Sequence, residues 1–196
     1  PPLPVQKEIV RILDKFTELE AQLDAELQAR EKQYAYYRDA LLDFGPGKPR
    51  IGSKHSRLNK LIETLCPNGV EFVKLGEFSI IKTGEQLNKS GLLTDGEFPV
   101  MNGGIEPSGY HSEFNTKANT ITISQGGASA GFVNFMTTKF WAGAHCYTVI
   151  PSSELLNNKF LFYVLKNRQS SIQSSKQGAG IPVLNRKELR DLLIPI

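Results

Sequence analysis

Apolar residues fall at Ile9, Ile12, Phe16, Leu19 and Leu23, alternately three and four positions apart, with charged and polar residues between them. On a helix that spacing draws one apolar edge, the seam of a coiled coil. Four residues on, the seam resumes at Leu27 and runs through Tyr34, Tyr37 and Leu41. The extra step is a stutter, which locally unwinds a supercoil. Neither Gly nor Pro occurs in residues 5–42, where Ala, Leu, Glu, Gln, Lys and Arg dominate. Propensity and pattern therefore agree on one helix within Pro4 to Phe44. Prolines 1, 2 and 4 suit a helix entry and predict a start near Val5, and Gly45, Pro46, Gly47 and Pro49 stop the helix. At about 1.5 Å per residue it would reach roughly 60 Å. A helix lying along its own domain would also carry an apolar stripe, but this one is too long for that, so a partner helix is expected.

Beyond residue 60 the period shortens. Residues 71–82 (EFVKLGEFSIIK) and 97–101 (EFPVM) are strand-like, and Asn102-Gly103 is a turn signal. Residues 119–124 (NTITIS) alternate with period two, residues 131–135 (GFVNF) resemble their partner, and residues 146–150 (CYTVI) give another strand. Leu58 to Leu65 predicts a short helix closed by the turn Pro67-Asn68-Gly69. Asn157 or Asn158 is placed to cap a helix through Lys166 to about Ile172. Asn185, with Glu188 three residues on, opens a last helix expected to end before Pro195. The predicted class is α+β: a long coiled-coil-forming arm (1–44), a basic linker (45–60) and a β-rich globular domain with C-terminal helices (61–196).

Charge divides along the same line. Residues 1–44 carry six Lys/Arg against nine Asp/Glu, and residues 45–196 carry seventeen against eleven. An acidic arm (−3) on a basic body (+6) points the body at a polyanion and the arm at protein, although a merely solvated basic surface has the same composition. No apolar run approaches about 18 residues, so no membrane span is expected and a soluble cytoplasmic protein is. Cys66 and Cys146 lack metal-ligand spacing, which predicts reduced thiols and no metal site.

Little in the sequence has the form of a catalytic site. Gly127-Ala128-Ser129-Ala130-Gly131 matches the G-x-S-x-G of a hydrolase elbow, yet strand-like Phe132-Val133-Asn134-Phe135 follows where that fold needs a helix. A P-loop and a dinucleotide fingerprint are missing. Three polar segments, Asn102–His111, Ser124–Ala130 and Lys176–Ile181, fit ligand recognition better, because they set hydrogen-bonding groups beside small residues that let a backbone come close. Asn and Gln can pair with adenine, and Lys, Ser and His can meet other base edges. Asn102, Ser108, His111, Gln125, Ser129, His145 and Gln177 are the candidate base-facing residues. Lys139 and Lys176 suit phosphates, as would a strap of Lys48, Arg50 and Lys54 if that basic stretch is more than a flexible linker. Ordinary turn chemistry would also account for several of these Asn and Gly residues, and Trp141 fits a core as well as a stacking platform.

Two stretches carry a family resemblance: PPLPVQKEIVRILDKF at residues 1–16, with the helix to Phe44, and GIPVLNRKELRDLLIPI at residues 180–196. They resemble the specificity subunits of type I restriction–modification enzymes. KLGEF (74–78), VMNGGIEPSGY (100–110) and TISQGGASAG (122–131) look like one variety of their target-recognition domain. The resemblance implies a non-catalytic reader of half of a split sequence in double-stranded DNA, carried on long helices that pair antiparallel. It implies as partners modification subunits, which bear the S-adenosylmethionine chemistry, and a restriction subunit in the complete enzyme. No Asn/Asp-Pro-Pro-Tyr/Phe methyltransferase motif is present, which fits a reader binding no cofactor directly. Family members usually hold two domains and two long helices, whereas here DLLIPI would lead straight into another PPLPVQKEIV. Two expectations follow: a half-sized subunit that homodimerises through Ile9, Ile12, Phe16, Leu19, Leu23, Leu27, Tyr34 and Leu41, or one half of a longer chain. A coiled-coil assembly protein with a protein-binding globule is the alternative from a different class.

Overall fold

The computed structural model describes residues 1–45, 56–178 and 182–196. Lys48, Arg50 and Lys54, and the end of the Lys176–Ile181 segment, lie outside the described residues. The chain divides into two units, Pro1–Ser56 and Arg57–Ile196.

The described residues of the first unit form one helix, α1 (Leu3–Leu42), of 40 residues. It opens two residues before Val5, because Pro4 falls in the first turn, where a missing N–H costs no intrahelical bond. It ends where Asp43 turns extended, and the Asp43 carboxylate then accepts the Gly45 N–H at 3.0 Å. Arg11 pairs with Glu8 at 2.6 Å and Arg30 with Glu26 at 3.5 Å on the exposed face of the helix, where water screens both pairs. No residue of α1 is buried; Phe16 remains 64% exposed and Leu23 67%. The whole apolar seam is therefore uncovered in the single chain.

The second unit begins with α2 (Arg57–Leu65), which turns Asn59 and Ile62 inward. The expected 71–82 strand is two strands, β1 (Phe72–Lys74) and β2 (Ser79–Thr83), separated by a helical turn, α3 (Leu75–Phe78). Packing decides this: Leu75 is fully buried, and Gly76 lets α3 approach the stem of Arg190 so closely that a Cβ there would lie 2.9 Å from it. Next come β3 (Phe98–Met101), β4 (Tyr110–His111), β5 (Thr120–Ser124), β6 (Val133–Met136), β7 (Trp141–Ala142) and β8 (Cys146–Pro151). The main sheet is antiparallel in the order β2-β8-β5-β6, and a smaller one has the order β4-β3-β7. All five residues of β5 are buried despite their polar–apolar alternation; β5 is flanked on both edges by β8 and β6, and the Thr120 hydroxyl donates to Lys117 O at 2.9 Å.

Asn157 caps α4 (Asn158–Asn167), its side chain accepting from the N–H groups of Lys159 and Phe160. The helix expected to reach Ile172 breaks at Arg168, whose ψ of 8° leaves the helical range, and continues as α5 (Gln169–Ser174). Asn185 caps α6 (Arg186–Asp191) by accepting from Lys187 N–H, while Glu188 turns to Gln177 rather than back to close a capping box. The last helix stops at Asp191, and Leu193–Pro195 forms β9, paired antiparallel with β1. Pro195 sits at the strand's end, where a missing N–H is tolerated, and Ile196 N–H donates to Glu71. No described helix is long and apolar enough to cross a membrane.

Candidate functional site

Strand direction creates the site. Because β8 is antiparallel to both β2 and β5, the close of β2 (Thr83), the close of β5 (Ser124) and the opening of β8 (Cys146) share one end of the sheet. Thr83 stands opposite Tyr147 and Ser124 opposite Cys146. The β5–β6 connection, residues 125–132, leaves from this end.

Three otherwise distant segments are tied together there. Asn102, just after β3, accepts the His145 N–H through its side-chain oxygen at 3.2 Å, and the Gly143 N–H donates to Met101 O at 2.8 Å. His145 O in turn accepts from Gln125 N–H at 2.9 Å, and the Ser124 hydroxyl reaches Gly104 O at 3.4 Å. On the other side Gln125 O accepts from Leu184 N–H at 2.7 Å, Gly127 N–H donates to Pro182 O, and Val183 pairs with Gln177 in both directions. Asn102, His145, Gln125 and Gln177 thus belong to one hydrogen-bonded network. Gly143 makes the Asn102 contact possible: a Cβ there would stand 2.4 Å from the Asn102 side-chain oxygen. Gly103, in the left-handed region at φ +87°, turns the loop away from β3. Asn102-Gly103 does not close a tight hairpin, since β3 meets β4 only after residues 102–109 and pairs in parallel with β7 on its other edge.

The other named residues are placed as follows. Ser129 lies at the half-buried tip of the β5–β6 connection, where its carbonyl accepts from Phe132 N–H. Lys176 is half-buried just before the Gln177–Val183 pair, and the Gln177 side-chain amide donates to Glu188 at 2.7 Å. Ser108 keeps an exposed side chain while its N–H donates to Val100. His111 hydrogen-bonds Gly91 O through Nδ1 at 2.8 Å and stands edge-on to Trp141, centroids 4.9 Å apart. Trp141 is itself half-buried, its indole N–H donating to Glu85 O. Lys139 follows β6 at the end away from Gln125 and sets its ammonium 4.3 Å from the centre of the Phe114 ring.

Four residues of the network were not singled out by the sequence: Thr83, Tyr147, Leu184 and Arg186. The Tyr147 hydroxyl donates to Leu184 O at 3.1 Å. Burial pushes its pKa up, against the pull of the Arg186 charge and of a hydrogen bond to the Gln125 side chain. Only the meeting of β8 with the 182–186 segment brings these together. The one available signal was the run Val183-Leu184-Asn185-Arg186, where a cation immediately follows a helix cap. Cys146 at the foot of the site is pushed up to about 12 by burial, so its thiol stays protonated. Among the described residues no group of three or more His, Cys, Asp or Glu is gathered as a metal ion would require.

The chain combines an α+β domain, whose polar loops gather at one end of a sheet, with a 40-residue helix that has an uncovered apolar seam. The chain belongs to the type I restriction modification DNA specificity domain family, whose model matches residues 67–196. It is 65% identical over 208 residues to the Escherichia coli EcoR124I/EcoR124II specificity subunit, covering 99% of this chain and 48% of that one. Among solved structures, it is similar to a type I restriction–modification S subunit from Mycoplasma genitalium, with TM-score 0.61 and 31% identity, over 65% of this chain and 34% of that one. The HsdS subunit of Thermoanaerobacter tengcongensis shares the fold along the whole of this chain and 47% of its own, with TM-score 0.58 and 20% identity. The chain thus spans about half the length of its E. coli relative.

Proposed function

We propose that this chain reads one half of a bipartite sequence in duplex DNA for a type I restriction–modification system and performs no chemistry itself. The observation that carries the reading is the convergence of the Asn102, Gln125 and Gln177 segments at one end of the sheet, in a chain of this family. Asn102, Ser108, His111, Gln125, Ser129, His145 and Gln177 supply groups for base edges. Lys48, Arg50, Lys54, Lys139 and Lys176 supply cations for phosphates, which position without specifying. Helix α1 pairs with a second such helix, from another copy or from the other half of a longer chain. Modification subunits carrying S-adenosylmethionine, and a restriction subunit in the full assembly, are the partners in this reading, which also makes the protein cytoplasmic.

Binding to duplex DNA, measured with the modification subunits present, should weaken steeply as salt rises, because each phosphate contact releases counterions. Replacing Lys48, Arg50, Lys54 or Lys139 by Gln should reduce the log–log salt slope by about 0.9 per true contact and lower affinity alike on all sequences. A globule that recognises protein would show no binding of this form, and an unchanged slope in all four variants would move the phosphate-facing surface elsewhere.

Gln125→Ala should cost about 1–3 kcal/mol on the preferred site and leave non-specific binding unaltered. The lost discrimination should be confined to one base pair or two neighbours, as read from a complete set of single-base substitutions. Uniform loss across the set would make Gln125 a positioning residue instead.

A further inference from the structure

Arg186 is an exposed cation held in place on the loop face. Its Nη2 donates to the Thr83 hydroxyl, and its guanidinium carbon lies 5.8 Å from the centre of the Tyr147 ring. Both anchors belong to the rigid part of the site, because Thr83 and Tyr147 are cross-strand partners in the main sheet. The backbone two residues earlier is fixed as well: Leu184 N–H donates to Gln125 O, and Leu184 O accepts from the Tyr147 hydroxyl. Arg186 and Gln125 therefore flank the same buried phenol.

A phosphate contact needs only a positive charge on a flexible stem. Arg186 is built differently: one donor of its planar fork is engaged by Thr83, and the guanidinium lies over the Tyr147 ring, so the fork is restrained from two sides. A fixed fork beside a carboxamide matches the paired acceptors of guanine, O6 and N7, in the major groove. We infer that Arg186, beside Gln125, is a sequence-reading residue that recognises a guanine edge in the half-site. The inference rests on the reading of this chain as a DNA reader and adds to it a residue and a base.

The test uses the complex with modification subunits and a randomised duplex pool, from which bound sequences are recovered and counted. A parent complex that enriches no sequence overturns the DNA reading and this inference together. Given an enriched site, Arg186→Lys, which keeps the charge and removes the fork, should lose about 5- to 150-fold on that site. The loss should fall at a single G·C pair or two adjacent pairs, with the salt slope and non-specific binding unchanged. Thr83→Val, which removes the anchoring hydroxyl at nearly constant shape, should weaken discrimination at the same pair by a smaller factor, and it decides the matter should Arg186→Lys not fold. Uniform loss on every sequence with a reduced salt slope would make Arg186 a phosphate contact and overturn the inference. So would an unaltered sequence preference in both variants.

Discussion

Phe140→Ala should lower the stability of the second unit by about 3–5 kcal/mol. Phe140 is fully buried among Met101, Met136, Ala142 and Cys146, and its N–H and carbonyl are both bonded to Thr116. Truncation would leave a cavity the size of a ring, walled by strand residues that cannot collapse into it. Domains of this size are held by about 5–15 kcal/mol, so the loss is a large share. The same cluster supports the proposed recognition face: Met101 precedes Asn102, and Cys146 follows His145. Phe140→Leu, which keeps more of the volume, should cost less and retain sequence discrimination, whereas Phe140→Ala should blur it before the domain unfolds. Denaturant midpoints at constant slope give the first quantity and binding to single-base variants the second. A loss below about 1 kcal/mol would show that the cluster repacks freely and contradict its role as a platform.

Leu19→Asp in α1 should shift the protein toward monomer, with a cost on the order of several kcal/mol if the site is fully buried in the helix pair. Leu19 lies on the 3-4 seam and is 45% exposed in the single chain, so the charge should trouble the assembled state far more than the isolated one. Sedimentation should show the change in mass, and circular dichroism should show the second unit still folded. A parent protein that is already monomeric would rule out self-association through α1, and an unchanged oligomer would take Leu19 out of the interface.

Where each residue type has one dominant local use, the sequence was a reliable guide. A helix free of Gly and Pro beyond its first turn could be placed from its period alone, because helical order is set within a few turns. The β5–β6 pair was legible because Asn119 to Ser124 and Gly131 to Phe135 share a period and lie close in the chain. The Asn157-Asn158 pair, of which Asn157 is the cap, and Asn185 were recognisable because a short polar side chain before an apolar run has few other uses. The helical turn at Leu75–Phe78 was not legible: its four residues are as apolar as a strand, and burial of Leu75 together with the close approach at Gly76 overrode the local pattern. The final strand was not marked in the sequence for a similar reason, since Leu193–Pro195 continues a helical period but gains hydrogen bonds by pairing with β1, about 120 residues away.

The sequence by itself determined most of the elements, the long helix with its apolar seam, and the polar segments that could meet a ligand, because each depends on interactions within a few neighbouring residues. Tertiary structure alone decided which of those segments meet. Antiparallel pairing of β8 with β2 and β5 puts Thr83, Gln125 and His145 at one end of the sheet. The Leu184–Gln125 hydrogen bond then brings Arg186 to the same face. No local period encodes that encounter, because it depends on strand order and register between residues from about 20 to more than 60 positions apart in the chain.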